Sequence, residues 1–207
     1  IDQIPCIKSF NSSNQSLKEL IDFQITEPLK EIELSHNIKQ IGSINDNISN
    51  KVKSQYEENP YPRWRYGSHS KNKKISILQG INNEIYPNYI SQNLGDKQLK
   101  VLVAGCGTGQ HILYTQNYKN TQIIGIDLSS SSLAYAQRKI NEFEIDNVEL
   151  IQMDILEVGL LKEQFDIIES SGVLHHMEDP LKGLKALLGI LKPNGFLHLG
   201  LYSELAR

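Results

Sequence analysis

Three glycines in five residues, Gly105, Gly107 and Gly109, follow the apolar run Val101-Leu102-Val103-Ala104. At the end of a buried strand, glycines let backbone N–H groups approach a ligand closely, and a following helix adds partial positive charge at its N-terminus. The chemistry implied is nucleotide or nucleoside binding. A dinucleotide cradle needs G-x-G-x-x-G, whose third glycine would fall where this chain has Gln110, and a G-x-x-x-x-G-K-S/T phosphate loop is absent. That spacing argues against a nicotinamide-dependent oxidoreductase.

Two acids end later apolar runs: Asp127 in Gly125-Ile126-Asp127-Leu128, 22 residues after Gly105, and Asp154 in Gln152-Met153-Asp154-Ile155. A carboxylate at such a position accepts from vicinal hydroxyls or an amino group, or caps the next helix. Beyond a further run comes Glu169-Ser170-Ser171-Gly172-Val173-Leu174-His175-His176-Met177. An imidazole with an ordinary pKa near 6.5 suits proton transfer at neutral pH. His175 is the expected catalytic residue, with His176 the one of the pair more prone to face the sheet.

The elements that position these residues are short apolar runs alternating with helical patterns, the signature of a parallel sheet with crossover helices. The runs are Leu99 to Ala104, Gln122 to Leu128, Val148 to Met153, Phe165 to Glu169 and Phe196 to Tyr202. Their apolar residues are contiguous rather than alternating, as expected of strands covered on both faces. Leu133, Ala136, Ile140 and Phe143 form one helical stripe, and Leu181, Leu184, Leu188 and Leu191 another. Asp179 and Pro180 mark the start of the second helix, and Lys192-Pro193-Asn194-Gly195 its stop. Ser129 to Ser132 is a short polar run at a strand-to-helix turn.

The first hundred residues read differently. Helices are expected over Ser16 to Ile25, Pro28 to Ile41, Asp46 to Glu58 and Ile75 to Ile90. The stripe Leu29, Ile32, Ile38 and Ile41 implies packing onto another surface. Between them, the two prolines of Asn59-Pro60-Tyr61-Pro62-Arg63-Trp64 hold an extended aromatic segment. From Tyr61 to Lys74 there are five Lys or Arg and no acid, the composition of a solvated basic loop or of a surface for an acidic acceptor. Residues 1–74 are read as a helical extension with a lid segment, and 75–207 as the ligand-binding domain.

Composition narrows the classes further. Lys and Arg total 21 against 24 Asp and Glu in 207 residues, a formal net charge of −3, which disfavours general polyanion binding. No apolar run approaches the roughly 18 residues that a membrane span requires. A cytoplasmic protein is expected. Cys6 and Cys106 are too few and too separated for a disulfide framework or a metal cluster, so no metal site is expected.

Taken together, Ala104-Gly105-Cys106-Gly107-Thr108-Gly109, Asp127, Asp154 and the Val173-Leu174-His175-His176 segment resemble the class I S-adenosylmethionine-dependent methyltransferases. The resemblance runs from about Leu99 to Tyr202. It implies a doubly wound, mainly parallel Rossmann-like α/β sheet and S-adenosylmethionine as cofactor. It further implies that Gly105, Cys106, Gly107 and Gly109 pack against the methionine part. Asp127, with Leu128, would bind the ribose hydroxyls, and Asp154, with Ile155, would receive the adenine. Many members carry an acid shortly before the first glycine, where this chain has Val103-Ala104; backbone carbonyls or Ser170 would then hold the amino group.

The run Gln55-Tyr56-Glu57-Glu58-Asn59-Pro60-Tyr61-Pro62-Arg63-Trp64 resembles a segment of bacterial methyltransferase domains often fused to tetratricopeptide repeats. It implies a lid over the cofactor, with Tyr56, Tyr61, Trp64 and His176 facing the acceptor. The acceptor itself, small molecule or protein, is not identified by any motif. The N-P-P-Y of amino-directed DNA methyltransferases is replaced by Ser170-Ser171-Gly172-Val173, which disfavours nucleic acid. The alternative is a cofactor-binding regulatory module within a larger repeat protein. Class I sheets usually have seven strands and only five are recognised here. A fragment of a longer protein is therefore expected, its last strand presenting an open edge suited to self-association.

Overall fold

The computed structural model describes residues 12–67, 74–91, 97–115 and 117–203. Cys6, Lys71 and Lys73 lie outside them.

The five apolar runs form strands β2 (Leu99–Ala104), β3 (Thr121–Asp127), β4 (Val148–Gln152), β5 (Phe165–Ser171) and β6 (Leu191–Gly200). A sixth strand, β1 (Lys39–Gln40), comes from the extension and pairs parallel with β4, Lys39 opposite Ile151. The count of five is thereby corrected to six. Two exposed polar residues carry no hydrophobic pattern, so β1 is invisible to a periodicity reading. All pairings are parallel, in the order β1-β4-β3-β2-β5-β6.

The chain winds outward from β2 through β3 to β4, then returns to the other side of β2 for β5 and β6. The strand order therefore reverses between β2 and β5, the place where open α/β sheets bind ligands. Both faces are covered. Leu102, Ala104 and Ile168 pack with Leu187 of helix α7 (Pro180–Gly189). Val101, Val103 and Ile123 pack with Ile112 of α5 (Gln110–Thr115) and with Leu133, Ala136 and Ile140 of α6 (Ser130–Glu142). Asp179 caps α7 as expected, accepting from the Leu181 N–H at 3.0 Å. The Lys192-Pro193-Asn194-Gly195 turn falls inside β6 as an excursion: Leu191 faces Phe165, and Phe196 already faces Ile167.

The extension builds α1 (Gln15–Ile21), a π-helical turn (Asp22–Thr26), α2 (Glu27–Ser35) and α3 (Asn47–Glu58), and α4 (Ile77–Glu84) follows it. Helix α2 stops six residues short of Ile41, because the chain turns there to add β1 to the sheet. Its apolar stripe also differs from expectation. Ile32 is 56% exposed, and the residue buried against α6 is Glu31. That carboxylate takes a two-oxygen grip on Arg63, each contact 3.0 Å, and accepts from Arg138 Nε at 2.9 Å, which satisfies its charge. No helix among the described residues is long and apolar enough to cross a membrane.

Candidate cofactor and acceptor cavity

The loops leaving β2, β3, β4 and β5 converge on a cavity of about 270 Å³ at the carboxyl ends of the strands. Each strand contributes what its local sequence dictates. Gly105, Cys106, Gly107 and Thr108 come from β2, Asp127 and Leu128 from β3, Met153, Asp154 and Ile155 from β4, and Ser171 to Val173 from β5.

The three glycines have different tasks. All have positive φ, at 74°, 51° and 85°. A Cβ on Gly105 would stand 2.3 Å from Val173 Cγ2, and one on Gly109 would stand 2.9 Å from Ala136 Cβ. These two let the glycine loop lie against the β5 loop and α6, and Gly109 does not line the cavity. A Cβ on Gly107 would meet only the Tyr61 carbonyl at 3.8 Å, so this residue keeps the cavity open.

Asp127 joins two of the loops. One carboxylate oxygen accepts from the Gly107 N–H at 2.8 Å and the other from the Ser129 N–H at 2.9 Å. Burial pushes its pKa up, backbone N–H donors oppose that, and the nearby Glu57 charge adds to the rise. Each oxygen retains acceptor capacity toward the cavity. Asp154 also lines the cavity and accepts from the Leu156 N–H at 2.9 Å, so it caps a 3-10 turn (Ile155–Leu161) while facing the ligand space. Ser170 is buried in β5 outside the lining, where Ser171 takes its place.

Of the two histidines, His176 lines the cavity and His175 does not. The His175 ring packs 4.1 Å from that of His176 and 4.5 Å from that of Tyr202, centroid to centroid. Both histidines lie in the 3-10 turn Leu174–His176, with the His176 ring on the cavity side and the His175 ring between it and Tyr202. His111, in the first turn of α5, was overlooked by motif reasoning and lines the same cavity. Burial, then the neighbouring His198, holds its pKa below the ordinary value. Its signal was position alone, two residues beyond the last glycine.

The aromatic segment divides in two. Tyr61 and Pro62, with Tyr56 of α3, form one wall of the cavity. Trp64 faces away from it. Its ring stacks on Phe143 and meets Tyr135 edge-on, both with centroids 6.0 Å apart, and its Nε1–H donates to the Thr108 carbonyl at 3.1 Å. Trp64 thus fastens the segment to α6 and the glycine loop. Nor does the segment offer its cations freely: Arg63 is paired with Glu31, and Arg65 lies 4.7 Å over the Phe23 ring. Among the described residues, no cluster of His, Cys, Asp and Glu is arranged to hold a metal.

Residues 102–199 match the methyltransferase domain family. An uncharacterised protein of Synechococcus is 39% identical over 110 residues, 52% of this chain and 26% of that protein. The malonyl-acyl-carrier-protein O-methyltransferase of Priestia megaterium is 32% identical over 111 residues, 53% of this chain and 39% of that enzyme. The chain therefore spans well under two thirds of these relatives. Residues 102–199 are thus similar in sequence to methyltransferase domains. The fold agrees: the solved (4+2)-cyclase SpnF superposes with a TM-score of 0.54 over 76% of this chain and 61% of its own, at 22% identity. Within residues 102–199 the motif residues of β2 to β5 share one cavity, and the extension supplies a further wall through Tyr56, Tyr61 and Pro62.

Proposed function

We propose that the chain binds S-adenosylmethionine in this cavity and transfers its methyl group to an acceptor entering on the side of Tyr61, Tyr202 and His176. The observation that carries the reading is Asp127, a half-buried carboxylate at the end of β3 tied to Gly107 and still open to the cavity. Its donor chemistry fits a vicinal diol, and the space over Gly107 fits a ligand that a side chain there would displace.

In this reading Asp127 accepts from the two ribose hydroxyls, with Leu128 beside it. Asp154 and Ile155 receive the adenine, and Gly105, Cys106 and Gly107 receive the methionine part. The sulfonium supplies a strong electrophile, so the protein contributes placement and exclusion of water. Where the nucleophile is a hydroxyl or a protonated amine, an imidazole must take its proton. His111 and His176 are the imidazoles that reach the cavity, with His175 acting behind His176.

Titration calorimetry tests the reading with S-adenosylhomocysteine, S-adenosylmethionine and NAD. Both adenosyl compounds are expected to bind and NAD is not. Asp127→Ala removes charge-assisted hydrogen bonds worth about 1.5–3 kcal/mol, so the dissociation constant should rise roughly 10- to 100-fold. Binding of NAD alone, or an unchanged constant for Asp127→Ala, would overturn the assignment.

A further inference from the structure

We propose that Glu57 is a positioning residue for the cofactor, holding from outside the N-terminus of α6 and with it the Asp127–Leu128 turn. The inference rests on the reading of Asp127 as the ribose acceptor. Glu57 sits one residue from the end of α3, far in sequence from the turn it serves.

The geometry is that of a helix cap supplied by another element. Glu57 Oε1 accepts from the Ser130 N–H at 2.8 Å, and Oε2 from the Ser131 N–H at 2.9 Å. The Ser130 hydroxyl donates to the same carboxylate at 3.0 Å, and the Ser131 hydroxyl donates at 2.6 Å. Ser129 accepts from the Ser132 N–H at 3.0 Å, so the first three free donors of α6 are satisfied, two of them by Glu57. A carboxylate at a helix N-terminus is also favoured by the aligned peptide dipoles. The hydroxyl and N–H donors keep Glu57 ionised despite its burial, their combined pull setting its pKa below the ordinary value.

What this cap fixes lies immediately before it. Asp127 accepts from the Ser129 N–H, and Ser129 is the first cap of α6, so the carboxylate that faces the cavity and the helix end held by Glu57 share one turn. The same segment is fastened a second time at the glycine loop, where the Thr108 hydroxyl donates to the Pro62 carbonyl at 2.6 Å. Tyr56 and Tyr61, on either side of Glu57, line the cavity between these two attachments. Of the two acidic letters in Tyr56-Glu57-Glu58, Glu57 is the one that holds the site's turn.

A cap that only stabilises the fold and a cap that positions Asp127 differ in how they couple. The experiment is a double-mutant cycle of Glu57→Gln and Asp127→Asn. Titration calorimetry with S-adenosylhomocysteine is run well below the melting temperature of each variant. Glu57→Gln keeps the shape but loses one acceptor and the charge, and is expected to weaken binding about tenfold. The double variant is expected to bind no more weakly than Asp127→Asn alone, because Glu57 acts through Asp127. Wild-type affinity in folded Glu57→Gln, or losses that simply multiply, would overturn the proposal. Should Glu57→Gln not fold, Ser131→Ala removes only the 2.6 Å hydroxyl contact and is read by the same cycle, with the same two outcomes. Failure of the wild-type chain to bind S-adenosylhomocysteine would instead overturn the function proposed above, and the two failures are thus distinct.

Discussion

The two sides of the cavity are built by opposite means. On the sheet side, each carboxylate stands where its own strand ends and is held by backbone N–H groups: Asp127 by Ser129 two positions on and by Gly107 of the adjoining loop, Asp154 by Leu156. On the extension side, every attachment is made to a distant part of the chain. Glu57 reaches Ser130 and Ser131, Pro62 reaches Thr108, and Glu31 joins Arg63 to Arg138. The first side is specified by backbone geometry and the second by buried polar pairs. Such pairs hold register well but lose heavily when one partner is removed.

That contrast is open to direct attack. The largest stability effect is expected at Glu31→Ala, which leaves the Arg63 and Arg138 guanidiniums without their shared carboxylate. The loss should be about 3 kcal/mol, at the low end for a buried pair because the Arg63 side chain keeps 32% of its exposure. Denaturant unfolding measures it, and a loss below about 1 kcal/mol, the range of surface pairs, would show that the extension is held by apolar contact instead.

A smaller effect is expected on the sheet side, at Glu169 of β5. Burial, with the like charge of Glu84 added, raises its pKa from 4.5 to about 7. The folded protein thus holds this proton more tightly than the unfolded chain. Glu169's contribution is therefore most favourable below about pH 4.5, is lost as pH rises from 4.5 to about 7, and is level above that. Glu169→Gln mimics the protonated form. It should be more stable than the wild type at pH 8, by about 2 kcal/mol once the roughly 3 kcal/mol of the full shift is discounted for the side chain's partial exposure, and equal to it at pH 4. Thermal unfolding at the two pH values checks this, and equal stability at pH 8 would contradict it. The smallest effect belongs to Ile32→Ser, one residue from Glu31 but solvent-facing. Its stability should change by less than about 0.5 kcal/mol, and a larger loss would restore the apolar stripe read from the sequence.

Legibility followed the same division. The five apolar strands, the glycine loop, the Asp179 cap and the presence of Asp127 and Asp154 on the cavity were readable because each depends on a local pattern of glycine, acid or apolar run. The extension was readable only as helices. Its one strand among the described residues is two polar residues long, and its buried face carries Glu31 where periodicity pointed to Ile32. Glu57 was visible as a letter in the aromatic segment and Ser129 to Ser132 as a polar run, but nothing in either indicated the other.

By itself, then, the sequence determined the α/β class, the parallel strands and the glycine and carboxylate stations on the sheet side of the cavity. These follow from backbone preferences and solvent exclusion acting over short stretches. Only the tertiary structure decided that His176 and His111 reach the cavity while His175 packs against Tyr202. It likewise decided that Trp64 fastens rather than covers, and that Glu57 completes α6. The physical reason is common to all of these. Which way a side chain turns, and which distant donor a buried charge finds, depends on how separate elements meet in space, and chain spacing does not encode that.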